Sequence, residues 1–318
     1  WQAIYRHAFY RGGPVLTSAL SGIDQALWDI SGKHYGVPTH ALLGGAVRDR
    51  IRVYAHWRIG SLTDEGKAAA RERLDMLRKK GGYTAFKSGP GGKWRGHEPP
   101  SMIDDFVERA YLMRDWVGPD VELAFDFHGK MTPALAVEIC QELKGMRPMF
   151  VEEPVPQENV EALKQVTDKV TIPIATGERL HSIHEFEMLL SRGAVQYVRP
   201  DVCLAGGLTH CKKIAAIAEA HYVGVVPHNP LSPVSTAACL QIAASIPNFA
   251  LQEYPIGEGE APKTEIVKSA VRQENGYLIV PDAPGIGVEL ADDAAEKHPF
   301  TPRVVSTRLH EDGSVIDQ

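Results

Sequence analysis

Residues 121–178 decide the fold, because three apolar runs recur there at a regular spacing: VELAFDFHG (121–129), MFVEEPV (149–155) and IPIATGE (172–178). Each run is short and rich in β-forming residues, and apolar residues recur at helical spacing between the runs. The same alternation extends in both directions and predicts eight strands in all. The other five runs are IRVYAHW (51–57), TAFKSG (84–89), QYVRPDV (196–202), VGVVPHN (223–229) and FALQEYP (249–255).

Strands that alternate with helices predict parallel βαβ units, and closure into a barrel is the usual arrangement for eight strands. An open, doubly wound sheet is the alternative, but no GxGxxG motif follows the first run, so a dinucleotide-binding sheet is disfavoured. Six segments between runs are predicted helices, the first beginning at Met102. A further helix is predicted over 17–34, with an apolar face of Ala19, Ile23, Ala26, Leu27 and Ile30.

The composition narrows the class of protein. The chain has 318 residues, a net charge of −6 and a pI near 6.1, so it has no basic surface for nucleic acid. No apolar stretch approaches the roughly 18 residues of a membrane span. The four cysteines form no CxxC pair, which predicts reduced thiols and a cytoplasmic protein. The sequence opens at Trp1 without a signal-like leader, and we expect N-terminal residues to be missing.

Each of the three runs quoted first contains a carboxylate near its end, Asp126, Glu152 or Glu178, and successive carboxylates are 26 residues apart. A repeat of that length would place them on neighbouring strands at the carboxyl end of a barrel, where barrel enzymes have their active sites. Crowded carboxylates repel one another unless a cation is present, and an all-oxygen set suits Mg²⁺. The alternative is that each acid caps a helix or lies in water. Alternation along the strand favours Glu152 over Glu153.

Polar residues also lie near the ends of four of the other five runs. Asp201 and His228 end adjacent runs, and an Asp beside a His fixes the tautomer of the ring and raises its basicity, as a general base requires. A structural histidine is the alternative.

His128 lies two residues after the first carboxylate, so on an extended strand both side chains face the same way, and the ring is a candidate ligand or acid. Lys87 and Glu253 end the second and eighth runs and are candidate substrate contacts, although such a lysine is often a solvated charge.

A series of motifs runs in order along nearly the whole chain: FYRGGPVLTSALSGIDQALWDISGK, LLGGAVRDR, FDFHGK, VEEPV, ATGER, RPDVCLAGGLTHC, PHNPLSP, LQE and PGIGVEL. Together these motifs resemble the enolase superfamily, within it the mandelate racemase subgroup, and most closely the galactonate dehydratases. They are specific for the superfamily and less specific for one sugar.

The resemblance implies an α/β fold, a (β/α)₇β TIM-like barrel with the remnant of an N-terminal α+β capping domain that the C-terminal segment completes. Residues 1–50 are then the helical part of the capping domain, 51–256 the catalytic barrel, and 257–318 a segment packed outside the barrel. The β-meander that begins the family's capping domain is not found in the sequence. The resemblance also implies a homo-oligomer.

The predicted site residues coincide with functional positions of the family, and the resemblance assigns their roles. These are Mg²⁺ ligands for Asp126, Glu152 and Glu178, an Asp–His base pair for Asp201 and His228, the additional histidine of the dehydratases for His128, and a hydrogen bond to the substrate's carboxylate region for Glu253. The family's Lys-x-Lys motif is absent, since only Lys87 stands in AFKSGPGG, and this disfavours a lysine base.

These roles imply that a sugar acid, galactonate or a related aldonate, is dehydrated to a 2-keto-3-deoxy sugar acid. His228 would remove the α-proton and His128 would protonate the departing β-hydroxyl. An epimerase or racemase is the alternative on the same fold, and a catalytically silent barrel is the alternative from another class. A metal-dependent hydrolase is disfavoured because all three ligands are carboxylates. The loop 89–100 is a candidate for sugar selection, with Lys93, Trp94, Arg95 and His97 as candidate side chains. A polar surface loop without a role in binding is the alternative.

Overall fold

The computed structural model describes residues 1–7, 9–96, 98–255, 257–302 and 304–316. The chain forms two compact units, each discontinuous in sequence. Unit 1 comprises residues 1–55, 177–191 and 197–300, and unit 2 comprises residues 56–176, 192–196 and 301–318.

Helices and strands alternate along most of the chain, and every strand predicted from the sequence is present. The first is shifted by one residue, and the others span shorter ranges than predicted. In chain order the elements are α1 (Gln2–His7), α2 (Gly13–Tyr35), α3 (Thr39–Leu42), β1 (Arg50–His56), α4 (Asp64–Gly81), β2 (Ala85–Ser88), α5 (Pro100–Val117), β3 (Glu122–Asp126), α6 (Pro133–Leu143), β4 (Phe150–Glu152), α7 (Val160–Thr167), β5 (Ile174–Thr176), α8 (Ile183–Ser191), β6 (Tyr197–Val198), α9 (Gly207–Ala220), β7 (Gly224–Val225), α10 (Pro233–Ser245), β8 (Gln252–Glu253), β9 (Gln273–Glu274), β10 (Tyr277–Ile279) and α11 (Ala294–Lys297). Short 3-10 helices span Lys144–Met146 and Lys263–Ile266.

Unit 2 is built on parallel strands that pair in the order β2, β3, β4, β5. Leu123, Phe125 and Val151 are fully buried on these strands, as expected for strands of a parallel sheet with both faces covered. Asp126 and Glu152 are register partners at the ends of β3 and β4. The register therefore brings two of the predicted metal ligands side by side.

Unit 1 contains the remaining strands. Strand β6 pairs in parallel with β7, and β1 pairs in parallel with β8. Beyond the end of β6, Asp201 forms a parallel bridge with His228. Helix α10 is buried along nearly all of its length, and this agrees with its small and apolar composition.

Several elements were not predicted, among them a long helix and a hairpin. Helix α4 lies between β1 and β2, and its signals are local: the Thr63 side chain caps the first turn by accepting from the Gly66 N–H, and Gly82 ends the helix in a left-handed conformation. The hairpin β9–β10 lies in the segment after β8, and β10 pairs antiparallel with β1. Its two-residue turn, Asn275–Gly276, has positive φ at both positions, as an Asn-Gly hairpin turn requires.

The predicted helix over 17–34 is present as part of α2, but its apolar face is exposed and not buried. Ile23, Leu27 and Ile30 are 44%, 45% and 61% exposed. The buried side chains of α2 include Thr17, Ser21, Asp24 and Gln25. The polar face is the buried one because Ser21 and Gln25 bond to the turn after Asp201, and Asp24 bonds to the start of α9.

The cysteines are unpaired in this structure, as predicted. All four cysteines are free thiols, and three of them, Cys140, Cys211 and Cys239, are buried. Among the residues that the structure describes, no helix combines the length and the apolar character needed to cross a bilayer.

Candidate active site

In unit 2, one lysine lies between two predicted metal ligands. Lys87 extends from β2, and its Nζ donates to Asp126 Oδ2 and to Glu152 Oε2, each at 2.9 Å. The three side chains are at most 5% exposed. One ammonium faces two carboxylates, so this group has an excess of negative charge that a bound cation would compensate.

The Asp126 carboxylate remains ionised. Burial alone would raise the pKa of Asp126, but the Lys87 ammonium and the hydrogen bond from His128 outweigh burial, so this pKa is lowered. An ionised carboxylate is the form that binds a hard cation.

His128 reaches the same carboxylate by a different route from the one predicted. Strand β3 ends at Asp126, and His128 has a φ of 51°, so a left-handed turn and not strand alternation directs the ring. Its Nε2 lies 3.0 Å from Asp126 Oδ2, and its backbone N–H donates to Asp126 Oδ1 at 3.0 Å. The side chain is 51% exposed, so the ring is accessible to a reactant.

Glu153 also departs from regular strand geometry. Its φ is 40° and its side chain is almost fully buried. Strand β4 ends at Glu152, whose Oε2 accepts from Lys87. The preference for Glu152 over Glu153 as a ligand stays a prediction.

In unit 1, Asp201 holds His228. Asp201 Oδ2 lies 2.7 Å from His228 Nδ1, and Asp201 Oδ1 accepts from the Cys203 N–H at 2.6 Å. On the other side of the ring, His228 Nε2 is 3.5 Å from Glu178 Oε2. Because the carboxylate accepts at Nδ1, the neutral ring carries its proton there, and Nε2 is the basic atom.

The charges around His228 favour its protonated form. Burial lowers the pKa of His228, but the hydrogen bond to Asp201 and the negative charges of Glu253, Glu178 and Asp201 outweigh burial and raise it to about 9. The surroundings of this ring therefore supply the basicity that was predicted from the Asp–His pair.

Glu253 lies in a buried hydrogen-bond network. Its Oε2 accepts from Arg199 Nη2 at 2.8 Å and from the Asn229 N–H at 3.0 Å. Arg199 is fully buried and also donates to Tyr54 Oη at 3.0 Å. The Asn229 side chain donates to Thr236 Oγ1 at 2.7 Å, which connects Glu253 to the first turn of α10.

Sequence reasoning missed Arg199 and Asn229. A charged residue directly after the apolar pair of β6 was the available signal for Arg199, and adjacency to His228 was the signal for Asn229. A contact of Lys87 or Glu253 with substrate stays a prediction.

Two candidate side chains of the loop 89–100 contact the C-terminal segment within unit 2. Lys93 Nζ donates to the Leu309 carbonyl at 2.7 Å, and Arg95 Nη1 lies 3.1 Å from Asp312 Oδ2. Trp94 is 4% exposed. His97 lies outside the described residues. Selection of a sugar by this loop stays a prediction.

The predicted site residues thus form two groups. Lys87, Asp126, His128 and Glu152 contact one another in unit 2. Glu178 and Asp201 contact His228 in unit 1, and Glu253 adds its charge. Each group combines carboxylates with one imidazole. Carboxylates can bind a metal ion and imidazoles can transfer protons, so these residue types suit acid–base chemistry assisted by a metal.

Two family models cover most of the chain. The model described as enolase C-terminal domain-like matches residues 69–294, and the N-terminal domain of mandelate racemase / muconate lactonizing enzyme matches residues 1–44. The chain belongs to the mandelate racemase and muconate lactonizing enzyme family of the enolase superfamily.

Curated relatives of this enolase-superfamily chain include D-galactonate dehydratases. That of Verminephrobacter eiseniae is 40% identical over 295 residues, which cover 91% of this chain and 76% of the relative. That of Variovorax paradoxus is 39% identical over 326 residues, which cover 100% of this chain and 83% of the relative. The chain is therefore an enzyme of the hydro-lyase class.

Solved structures agree with the family assignment. One is an enolase of Agrobacterium radiobacter, whose structure holds sodium and L-malate. It is 32% identical with a TM-score of 0.91, and the match covers 99% of this chain and 82% of the Agrobacterium chain. An enolase-superfamily member from Salmonella Typhimurium is 32% identical with a TM-score of 0.86. The match covers 93% of this chain and 81% of the Salmonella chain. The predicted α/β fold class of the superfamily is confirmed.

Proposed function

We propose that this enzyme removes water from an aldonate, galactonate or a close relative, and releases a 2-keto-3-deoxy sugar acid in a Mg²⁺-dependent reaction. The observation that carries the proposal is that two imidazoles are each held by a carboxylate, His128 by Asp126 and His228 by Asp201. β-Elimination from a sugar acid requires one group to take the α-proton and one to protonate the departing hydroxyl. The D-galactonate dehydratase relatives support this substrate class.

The chemistry of the donor set supports a hard divalent cation. Asp126, Glu152 and Glu178 are the proposed ligands, and all three offer carboxylate oxygens. The lowered pKa of Asp126 keeps that ligand ionised, and oxygen ligands suit Mg²⁺. When bound, Mg²⁺ would supply stabilisation for the negative charge that develops on the substrate's carboxylate as the α-proton leaves.

His228 is the proposed base. Its Nδ1–H donates to Asp201, so Nε2 takes the α-proton. With a pKa near 9 the ring is protonated at neutral pH while Glu178, Glu253 and Asp201 are all charged. The base therefore requires that part of this negative charge be compensated before it acts.

His128 is the proposed acid. Its ring is half exposed and is oriented by Asp126. An exposed, oriented imidazolium can deliver a proton to the departing β-hydroxyl and take up another from solvent between turnovers. The resulting enol then tautomerises to the 2-keto-3-deoxy acid.

A semicarbazide assay for 2-keto-3-deoxy acids tests the proposal, with a library of aldonates and aldarates in Mg²⁺ or in EDTA. Product from galactonate or a related aldonate is expected in Mg²⁺ and should be lost in EDTA and in His228→Asn. His221→Asn is the matched control, because His221 is partly exposed and its ring lies beside Glu187 in unit 1. It should keep wild-type activity.

Two other outcomes would overturn the proposal. Exchange of the α-proton in deuterated water without loss of water would identify an epimerase or racemase. Neither product nor exchange with any acid, from a protein whose circular dichroism shows an intact fold, would identify a catalytically silent member.

A further inference from the structure

A chain of hydrogen bonds runs within unit 1 from the buried face of α2 to His228. Gln25 Nε2 donates to the Val202 carbonyl oxygen at 3.2 Å. The N–H of Cys203 belongs to the same peptide group and donates to Asp201 Oδ1 at 2.6 Å. The other oxygen of that carboxylate lies 2.7 Å from His228 Nδ1. One glutamine is thus linked to the imidazole through a single peptide group and a single carboxylate.

The orientation of the Gln25 amide follows from its neighbours. Its nitrogen faces two carbonyl oxygens, those of Val202 at 3.2 Å and Ser21 at 3.3 Å. Only the amide NH₂ can donate to both, because the amide oxygen accepts and cannot donate. The side chain is 6% exposed, so water has little access to the hydrogen bond between α2 and the turn.

We propose that Gln25 is a positioning residue for His228, acting through the 202–203 peptide and Asp201. The inference rests on the proposed role of His228 as the base. A carbonyl that accepts a hydrogen bond makes the N–H of the same peptide a stronger donor, so Gln25 strengthens the hold of Cys203 on Asp201. Asp201 is then restrained at both oxygens, and its orientation sets the tautomer and direction of the imidazole.

Other polar side chains on the same face of α2 bond further along the turn. Ser21 Oγ accepts from the Gly206 N–H at 2.9 Å. Asp24 accepts from the N–H and the hydroxyl of Thr209 at the start of α9. Neither bonds to the 202–203 peptide, so Ser21→Ala is a matched control on the same helix face. It removes one buried hydroxyl, which accepts from the Gly206 N–H and donates to the Thr17 carbonyl.

The first test requires no substrate. Gln25→Met keeps the length of the side chain and removes the donor, and Gln25→Glu keeps the shape but places a carboxylate against the Val202 carbonyl. The His228 ring is observed by NMR in protein labelled with ¹⁵N-histidine, with His228→Asn used for assignment. Both Gln25 variants should speed the exchange of the Nδ1 proton with solvent and shift the Nδ1 signal, because the hydrogen bond between Nδ1 and Asp201 is weakened in each. Gln25→Glu should show the larger effect.

Ser21→Ala should leave the nitrogen signals and the exchange rate of His228 as in the wild type. Unchanged signals in folded Gln25→Met and Gln25→Glu, or equal changes in Ser21→Ala, would overturn the inference. Thermal unfolding of all three variants shows whether each is folded at the temperature of measurement. If Gln25→Met does not fold, Gln25→Glu alone decides.

The second test uses turnover of the aldonate. Gln25→Met should lower kcat about three- to tenfold and change KM by less than about twofold, because one hydrogen bond that acts on the base and not on the substrate is lost. A raised KM with unchanged kcat would contradict positioning of the base. If the wild type turns over no acid, the proposed function fails, whereas the NMR result still decides whether Gln25 orients His228.

Discussion

Oδ2 of Asp201 lies 2.7 Å from Nδ1 of His228, and the two residues are partners in a parallel β-bridge. The backbone pairing therefore places the two residues at adjacent positions, whichever rotamers their side chains adopt. A rigid backbone pairing of this kind reduces the conformational freedom that an acid–base pair would otherwise lose during each turnover.

Substitution of the two histidines is expected to block different steps of the reaction. His228→Asn should abolish α-proton exchange in deuterated water, a loss of roughly 10²- to 10⁴-fold for a general base. His128→Asn should block release of the 2-keto-3-deoxy acid by a similar factor and leave measurable exchange. Exchange is followed by proton NMR of the substrate. Undiminished exchange in His228→Asn would refute the assignment of the base.

Lys87 should stabilise the protein most when no divalent cation is bound. Lys87→Met leaves Asp126 and Glu152 side by side without the ammonium that bonds to both, and we expect a loss of about 3 to 5 kcal/mol in the free energy of unfolding in EDTA. The loss should shrink in excess Mg²⁺. Urea unfolding in both conditions measures it. Lys164→Met, which removes an exposed pair with Asp168, should cost less than about 1 kcal/mol, and an equal loss in both variants would contradict the prediction.

Arg199 and Glu253 should be coupled energetically. Their side chains are 0% and 3% exposed and lie 2.8 Å apart, so Arg199→Met removes a buried cation from a buried carboxylate, at about 3 to 5 kcal/mol. Glu253→Gln in the same chain removes the remaining charge and should recover part of the loss. A double-mutant cycle by calorimetry measures the coupling. Strict additivity of the two single changes would show that the pair is not coupled.

His210 should make the stability of the protein fall in mild acid. The ring packs against Trp1 and Tyr5, and burial, with a smaller contribution from Lys213, lowers its pKa to about 4. The unfolded chain binds a proton near the ordinary pKa of 6.5 and the folded chain does not. Stability from this group is therefore complete above pH 6.5 and decreases as the pH falls toward 4, by roughly 3 kcal/mol.

The comparison with His210→Gln isolates this contribution. The variant should show a shallower loss of unfolding free energy between pH 6.5 and 4 than the wild type, measured by urea titrations across that range. His221→Gln removes a more exposed histidine and controls for the loss of an imidazole as such. Equal slopes in wild type and His210→Gln would show that His210 is not responsible.

Local patterns in the sequence predicted the strands and the main candidate residues. The 26-residue spacing of Asp126, Glu152 and Glu178 follows the length of one βα unit, and the apolar runs coincide with β1 to β8. Helix α4 and the β9–β10 hairpin were predictable too, from the Thr63 cap and the Asn275–Gly276 turn. Such features are encoded within a few residues of one another, so they can be read without knowledge of the fold.

The sequence by itself determined where strands and helices form and which carboxylates and histidines follow the strands. Only the tertiary structure decided that α2 buries Ser21, Asp24 and Gln25 while Ile23 and Leu27 face solvent. It also decided that a left-handed turn directs His128 and that Arg199 faces Glu253. The reason is that periodicity specifies the faces of a helix but not the partners of each face. Those partners are backbone and side-chain groups distant in sequence, and a buried polar group lies wherever its hydrogen bonds are satisfied.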